Sequence, residues 1–252
     1  MDATAPMTLP PLLQFRNLSK AFPGVKALTD VRLDIERGTV HAVMGENGAG
    51  KSTLMKILIG LHAPDDGEIL FKGQSLRLKS PYDALHRGIA MIHQELLPFL
   101  DLTVAENIGM GREPTRRVPG WLDKAAMSRD ALRLLSRLGV TLDPARKMRE
   151  LSVGEMQTVE IAKALAYNAE VIIMDEPTSA ISEREAEALF AVIRDLRQRG
   201  VAVIYISHKM DEIFRIADTI TVLRDGRHIA TRPARELDSA QLIALMVGRE
   251  LT

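Results

Sequence analysis

The run Gly45-Glu46-Asn47-Gly48-Ala49-Gly50-Lys51-Ser52-Thr53 has the Gly-x4-Gly-Lys-Ser/Thr spacing of a phosphate-binding loop. It follows an apolar stretch, Thr39 to Met44, and precedes Leu54, Ile57 and Leu58 at helical spacing, which is the strand-to-helix setting such a loop requires. The glycines let successive backbone N–H groups converge, and the following helix adds unpaired donors and its positive dipole end. A triphosphate fits that nest. Lys51 supplies a mobile charge for the β- and γ-phosphates, and the Ser52 hydroxyl a ligand for the Mg²⁺ that bridges them. The simpler reading, a glycine-rich turn with one surface lysine, leaves both flanks unexplained.

Asp175 and Glu176 end the continuous apolar run Val171-Ile172-Ile173-Met174, as expected of a parallel strand buried on both faces. Two carboxylates then stand at the carboxyl edge of the sheet, where α/β proteins bind ligands. With a phosphate loop upstream, Asp175 is expected to orient the metal and its waters, and Glu176 to polarise the attacking water.

Leu151-Ser152-Val153-Gly154-Glu155 resembles the signature of the ATP-binding cassette (ABC) ATPases, whose usual form is Leu-Ser-Gly-Gly-Gln, and it stands before the Asp175-Glu176 strand as in that family. The resemblance covers nearly the whole chain from about Leu12. It puts Phe22 at the aromatic position that stacks on adenine, Gln94 at the glutamine loop, Ser179-Ala180-Ile181-Ser182 after the catalytic strand, and His208 at the switch histidine. It implies a phosphate-loop NTPase of the ABC type, with a mainly parallel sheet core, an N-terminal antiparallel β subdomain and an inserted helical subdomain. ATP and Mg²⁺ are the implied bound groups, with Gln94 completing the Mg²⁺ shell and His208 bonded to the γ-phosphate.

Two residues depart from the family pattern: Val153 replaces the first signature glycine and Glu155 the glutamine, while Ser152 and Gly154 remain. In the family, the signature of one cassette closes over ATP held by the loop of another. Valine restricts the backbone there and a carboxylate repels a triphosphate, so this signature fits a weaker site. Ser152 to Glu155 also reads as a capping box that opens a helix, a reading compatible with the first.

The elements that position these residues are legible in turn. Met1 to Pro11 reads as a flexible lead-in, and residues 12–252 as one ABC nucleotide-binding domain with its helical subdomain at about 95–165. Alternation over Leu12 to Lys20, and around Val31, Leu33 and Ile35, gives half-buried strands. A turn at Pro64 to Gly67 leads to a strand at Glu68 to Phe71. Ser80-Pro81 starts a short helix closed by Gly88, and the strand Ile89 to His93 ends at Gln94. Capping boxes at Thr103 to Glu106 and Ser182 to Glu185 open further helices, and Gly109 to Gly120 reads as a surface loop. Met127, Ala131, Leu134, Leu135 and Leu138 share one helix face, as do Val159, Ala162 and Leu165. Val201 to Ile206 is a buried strand, Lys209 to Ala217 a short helix, and Asp225-Gly226 the type I′ turn of a hairpin.

The 252 residues carry 33 Lys plus Arg against 33 Asp plus Glu, so no long-range field favours nucleic acid, and no nucleic-acid partner is expected. The chain has no cysteine, which excludes disulfides and thiolate metal sites. No apolar run approaches the roughly 20 residues of a membrane span. An unrelated kinase is disfavoured by the signature and Gln94. A soluble ABC ATPase acting on DNA or ribosomes is disfavoured by the zero net charge and by the absence of a long heptad segment.

Val159 to Leu165, Ile92 to Leu96 and Tyr205 to Ile213 resemble the ATP-binding proteins of bacterial simple-sugar importers of the ribose, galactose, arabinose or xylose type. Those proteins hold two cassettes in about twice this length, so the chain is expected to be the first cassette, a fragment. The resemblance implies a second cassette, membrane permease subunits and, indirectly, a periplasmic sugar-binding protein as partners. It also implies a peripheral location on the cytoplasmic face of the inner membrane, with the isolated fragment soluble. The apolar loop Leu96 to Leu100 is open to two readings, a membrane-partner contact or packing within the helical block.

Overall fold

The structure, a computed structural model, describes residues 10–115 and 121–248. Residues 1–9 of the lead-in, 116–120 of the glycine- and arginine-rich loop and the closing residues 249–252 lie outside the described residues.

Two sheets stack in the fold. The first is antiparallel: β1 (Leu13–Phe22), β2 (Val25–Ile35), β4 (Asp66–Phe71) and β5 (Gln74–Ser75), in the order β2-β1-β4-β5. Along β1, Leu13, Phe15 and Leu18 are buried, and the alternation slips by one residue at Asn17. Asn17 adopts φ +51°, and the pairing with β2 shifts register there, so a bulge returns Leu18 to the core.

The second sheet holds β3 (Val40–Met44), β6 (Ile89–Ile92), β7 (Val171–Asp175), β8 (Ala202–Ile206), β9 (Thr219–Arg224) and β10 (Arg227–Pro233), in the order β10-β9-β3-β8-β7-β6. All pairs are parallel except the β9–β10 hairpin. Its turn has φ +51° at Asp225 and +71° at Gly226, the two positive values a type I′ turn needs. β3 and β8 are buried throughout because both faces of the sheet are covered. Val171, Ile173 and Ile204 pack with α1 (Lys51–Leu58) and the antiparallel sheet, whereas Ile172, Met174 and Val203 pack with the helices of the other face. Fully burying each such side chain is worth about 1.5–3 kcal/mol.

On that other face, α3 (Val104–Gly109), α4 (Lys124–Arg137) and α5 (Val153–Ala166) form the helical block, and α6 (Glu183–Gln198) follows β7. Capping boxes start α3 at Thr103, α5 at Ser152 and α6 at Ser182. Met127, Ala131, Leu134 and Leu135 form the buried face of α4. α2 (Pro81–His86) has Ser80 as its cap, and α7 (Met210–Ile216) follows β8. β5 and α8 (Ser239–Val247), which an Asp238–Gln241 box opens, are additions to the elements expected from sequence.

Because β3, β6, β7 and β8 run parallel, the loop after β3, Gln94 after β6, Asp175-Glu176 at the end of β7 and His208 after β8 all emerge at one edge of the sheet. β8 separates β3 from β7, and Ile206 pairs with Val43 on one side and Asp175 on the other.

Candidate active site

The phosphate loop is set by backbone that only glycine adopts cheaply. Gly50, the residue before α1, has φ +100°, and a Cβ there would lie 2.8 Å from Ala27 O and 2.7 Å from Leu28 Cδ2. Gly45, at φ +151°, would bring a Cβ to 2.3 Å from Leu223 O. The loop therefore rests directly on β2 and β9. Lys51 Nζ donates to Gly45 O at 2.7 Å and to Glu46 O at 3.1 Å, which arches the loop around the ammonium group.

An open cleft of about 560 Å³ lies over this edge. Phe22, Asn47, Gly48, Ala49, Gly50, Lys51, Ser52, Thr53, Gln94, Asp175 and Glu176 all line it, so the structure gathers residues spread over 155 positions of sequence. Val25, Ala27 and Ile206 join them without a sequence signal, Val25 placed by pairing with Phe22 and Ile206 by pairing with Asp175. The oxygen donors Ser52, Gln94 and Asp175 thus share one space with the lysine.

Burial and neighbouring charges shift the titratable groups of the site. Burial raises the Asp175 carboxyl above its ordinary range, and the adjacent Glu176 raises it further, while His93, Lys51 and Lys56 pull it back. Burial lowers the Lys51 ammonium, opposed by Glu176 and Asp175. Glu176 has a left-handed backbone, φ +47°, which turns its side chain away from the strand direction. His208 Nδ1 donates to Glu176 Oε1 at 3.1 Å.

Phe22 has the His62 ring against it edge-on, centroids 5.2 Å apart at 71°, and Lys20 Nζ lies 5.6 Å from its centroid. Lys20 is itself held by Asp65 at 2.6 Å.

Ser152, Val153, Gly154 and Glu155 do not line this cleft. They form the first turn of α5, where Glu155 Oε2 accepts the Ser152 N–H at 2.9 Å and Glu155 Oε1 accepts Arg146 Nη1 at 3.1 Å. The carboxylate expected to repel a triphosphate is thus turned back onto its own helix end and paired. A second carboxylate approaches from α6: a Cβ on Gly154 would lie 3.1 Å from Glu185 Oε1. Glu185 is held at about 2 by the Ser182 and Ser152 hydroxyls and by the backbone N–H groups of Ser182 and Gly154. Its capping role with Ser182 is legible in sequence, and its contact with Gly154 is not.

Behind Glu176, Glu212 on α7 accepts the Thr178 hydroxyl at 2.7 and 2.8 Å and the Tyr205 hydroxyl at 3.0 Å. Burial and that carboxylate hold the Tyr205 hydroxyl well above the usual phenol range. Lys209 Nζ donates to Thr178 O at 3.1 Å. None of these four residues announces itself by type or spacing.

The loop after Gln94 divides between its two readings. Leu96 packs against the core, whereas Leu97 is 89% exposed, Phe99 55% and Leu100 48%. Asn107, buried, fixes the loop by accepting the Phe99 N–H at 3.0 Å and donating to Phe99 O at 3.1 Å.

A family model described as "ABC transporter" matches residues 28–179. A ribose/galactose/methyl galactoside import ATP-binding protein, by name, of Agrobacterium fabrum is 56% identical over 241 residues, which are 96% of this chain and 47% of that protein. A protein of the same designation from Geobacillus kaustophilus is 53% identical over 240 residues, 95% of this chain and 48% of that protein. The chain spans about half the length of the curated relatives it matches. Among solved structures, the ADP conformation of an ATP-binding cassette of an ABC transporter superposes with TM-score 0.80 at 29% identity, covering 94% of this chain and 99% of that one. A nucleotide-free cassette gives TM-score 0.80 at 29% identity over 94% and 95% of the two chains.

Proposed function

The chain belongs to the ABC transporter ATPases, and from that premise we propose that it is the ATP-binding and ATP-hydrolysing cassette of a monosaccharide importer whose membrane channel is a separate chain. The observation that carries this reading is the convergence of the phosphate loop, Asp175-Glu176, Gln94 and His208 on one sheet edge, in a chain similar to sugar-import ATP-binding proteins over nearly its whole length.

The steps follow from the groups in place. Phe22 offers its ring to adenine, and the N–H groups of the loop Gly45 to Thr53, of which Asn47 to Thr53 line the cleft, bind the phosphates. Lys51 exchanges the carbonyls of Gly45 and Glu46 for the β- and γ-phosphate oxygens. Ser52, Gln94 and, through water, Asp175 would hold Mg²⁺; three hard oxygen donors suit that ion, and the raised Asp175 carboxyl is relieved by a nearby positive charge. When bound, Mg²⁺ neutralises charge on the phosphates. Glu176 orients and polarises the attacking water, and His208 steadies Glu176 by donating its Nδ1–H to the carboxylate.

The reading includes a second cassette whose signature completes this site, while Ser152 to Glu155 here serve the partner's site. The domain from residue 12 onward, with its helical subdomain at about 95–165, lies peripherally on the cytoplasmic face of the membrane. Leu97, Phe99 and Leu100, apolar and exposed, with the Phe99 backbone held by Asn107, are the surface offered to the permease. Sugar choice belongs to the permease and a binding protein. Among the described residues no helix is long and apolar enough to cross a membrane.

The test is ATP hydrolysis by the transporter reconstituted in liposomes with its binding protein and a panel of sugars. Stimulation by one monosaccharide is expected. Hydrolysis indifferent to every sugar but stimulated by DNA or ribosomes would overturn the reading.

A further inference from the structure

Gln157 is almost fully buried, 3% exposed, yet its amide is only half used. Nε2 donates to Pro177 O, while Oε1 has no hydrogen-bond partner among the described residues. A leucine would remove the unpaired Oε1 but would also strip the buried Pro177 carbonyl of its donor, so packing alone does not explain the amide. What remains is the work of its N–H group.

That N–H holds the carbonyl of the residue after Glu176. Glu176 occupies the left-handed region at φ +47°, a conformation that a residue with a side chain keeps only where its surroundings over-determine it. The restraints come from several elements. The Glu176 N–H donates to Ile206 O on β8 at 2.8 Å, and the Ser179 N–H donates back to Glu176 O at 3.1 Å. Glu212 and Lys209, from the segment after His208, hold Thr178. Gln157 is the restraint that comes from α5, and it lies one helical turn from Val153 and Gly154 of the signature.

We infer that Gln157 is a positioning residue for Glu176: its amide pins the Glu176-Pro177 turn to α5, so that the signature helix sets where the water-orienting carboxylate points. The inference rests on the reading of Glu176 given above. Gln157 touches neither nucleotide nor water in this account; it acts through the Pro177 carbonyl. The signature, which serves the partner's site, and Glu176, which serves this one, are thereby joined by one rigid helix and one hydrogen bond.

The experiment compares Gln157→Leu, Gln157→Met, Glu176→Gln and the Gln157→Leu/Glu176→Gln pair in the assembled transporter, with thermal melts to establish that each is folded. Gln157→Met keeps the length and flexibility of the side chain and supplies a folded variant if leucine does not fit. A folded variant should lose about tenfold or more in kcat with the KM for ATP changed by no more than about twofold, the scale expected when a reacting group is displaced without loss of binding. In single-turnover hydrolysis, Gln157→Leu should cost almost nothing further once Glu176 is already Gln, because the effect runs through that carboxylate. Unchanged kcat in a folded variant would overturn the inference, as would losses that multiply in the paired variant, since those mark a general structural effect. Full turnover by Glu176→Gln alone would overturn the parent reading of Glu176, and this inference with it.

Discussion

Nδ1 of His208 lies 3.1 Å from Oε1 of Glu176, a contact between residues 32 apart in sequence that joins the ends of the adjacent parallel strands β7 and β8. It fixes one oxygen of the carboxylate of a residue that lines the cleft. Glu176→Gln keeps the shape and the neighbours but removes the charge proposed to polarise water. ATP binding should persist while turnover in the assembled transporter falls at least about a hundredfold. Single-turnover hydrolysis at the wild-type rate would exclude this role.

Lys51 Nζ donates to the carbonyls of Gly45 and Glu46, and its proposed role is to carry that charge to the β- and γ-phosphates. Lys51→Ala should lower ATP affinity about 10- to 100-fold, equivalent to about 1.5–3 kcal/mol for a charge-assisted contact. Calorimetric titration measures it directly, and unchanged affinity in a folded variant would contradict the assignment.

His41 on β3 should make the fold acid-sensitive. It is 2% exposed, and its Nε2 shares a 2.7 Å hydrogen bond with Thr221 Oγ1, which in turn contacts Thr231 Oγ1 at 2.7 Å and, through it, His228 Nε2 at 2.8 Å. Burial, and then His228, lower His41 from 6.5 to about 4. Between those values the unfolded chain binds more protons than the folded one. Stability from this group is therefore full above about pH 6.5 and is lost as pH falls through about 4, by about 3 kcal/mol in total. In His41→Gln, which keeps a hydrogen-bonding side chain, the melting temperature should fall less steeply with acid than in the wild type; parallel curves would refute the attribution.

Leu97 and Phe99 should matter to coupling and not to folding. Replacing both by serine removes exposed apolar surface, so stability should change by no more than about 0.5 kcal/mol per site and ATP affinity should be unaltered. Sugar-stimulated hydrolysis by the reconstituted transporter should drop at least about tenfold, roughly the loss of 1.4 kcal/mol of association. Full stimulation would show that the permease docks elsewhere.

Local chemistry made much of this molecule legible from sequence. The boxes at Thr103, Ser152 and Ser182 are each closed by a Glu three residues on, within a single turn of chain, and all three form. The glycines of the phosphate loop declare backbone that other residues avoid, and the apolar run before Asp175 declares a strand covered on both faces. The extent of β2 was less legible, since Asp30 adopts φ +50° and breaks the alternation before Val31.

The sequence by itself determined the elements, the phosphate loop and the residue types at the sheet edge, because those depend on neighbours within a few positions. Only the tertiary structure decided which side chains meet: His208 with Glu176, Gln157 with Pro177, Arg146 with Glu155 and Glu185 against Gly154. Each of these pairs joins two elements whose relative placement follows from the order β10-β9-β3-β8-β7-β6 and from the packing of the helices on its faces. Such contacts carry no periodicity of their own. A glutamine that pins a carbonyl and a glutamine exposed on a helix have the same side chain, and burial, which tells them apart, is a property of the whole fold.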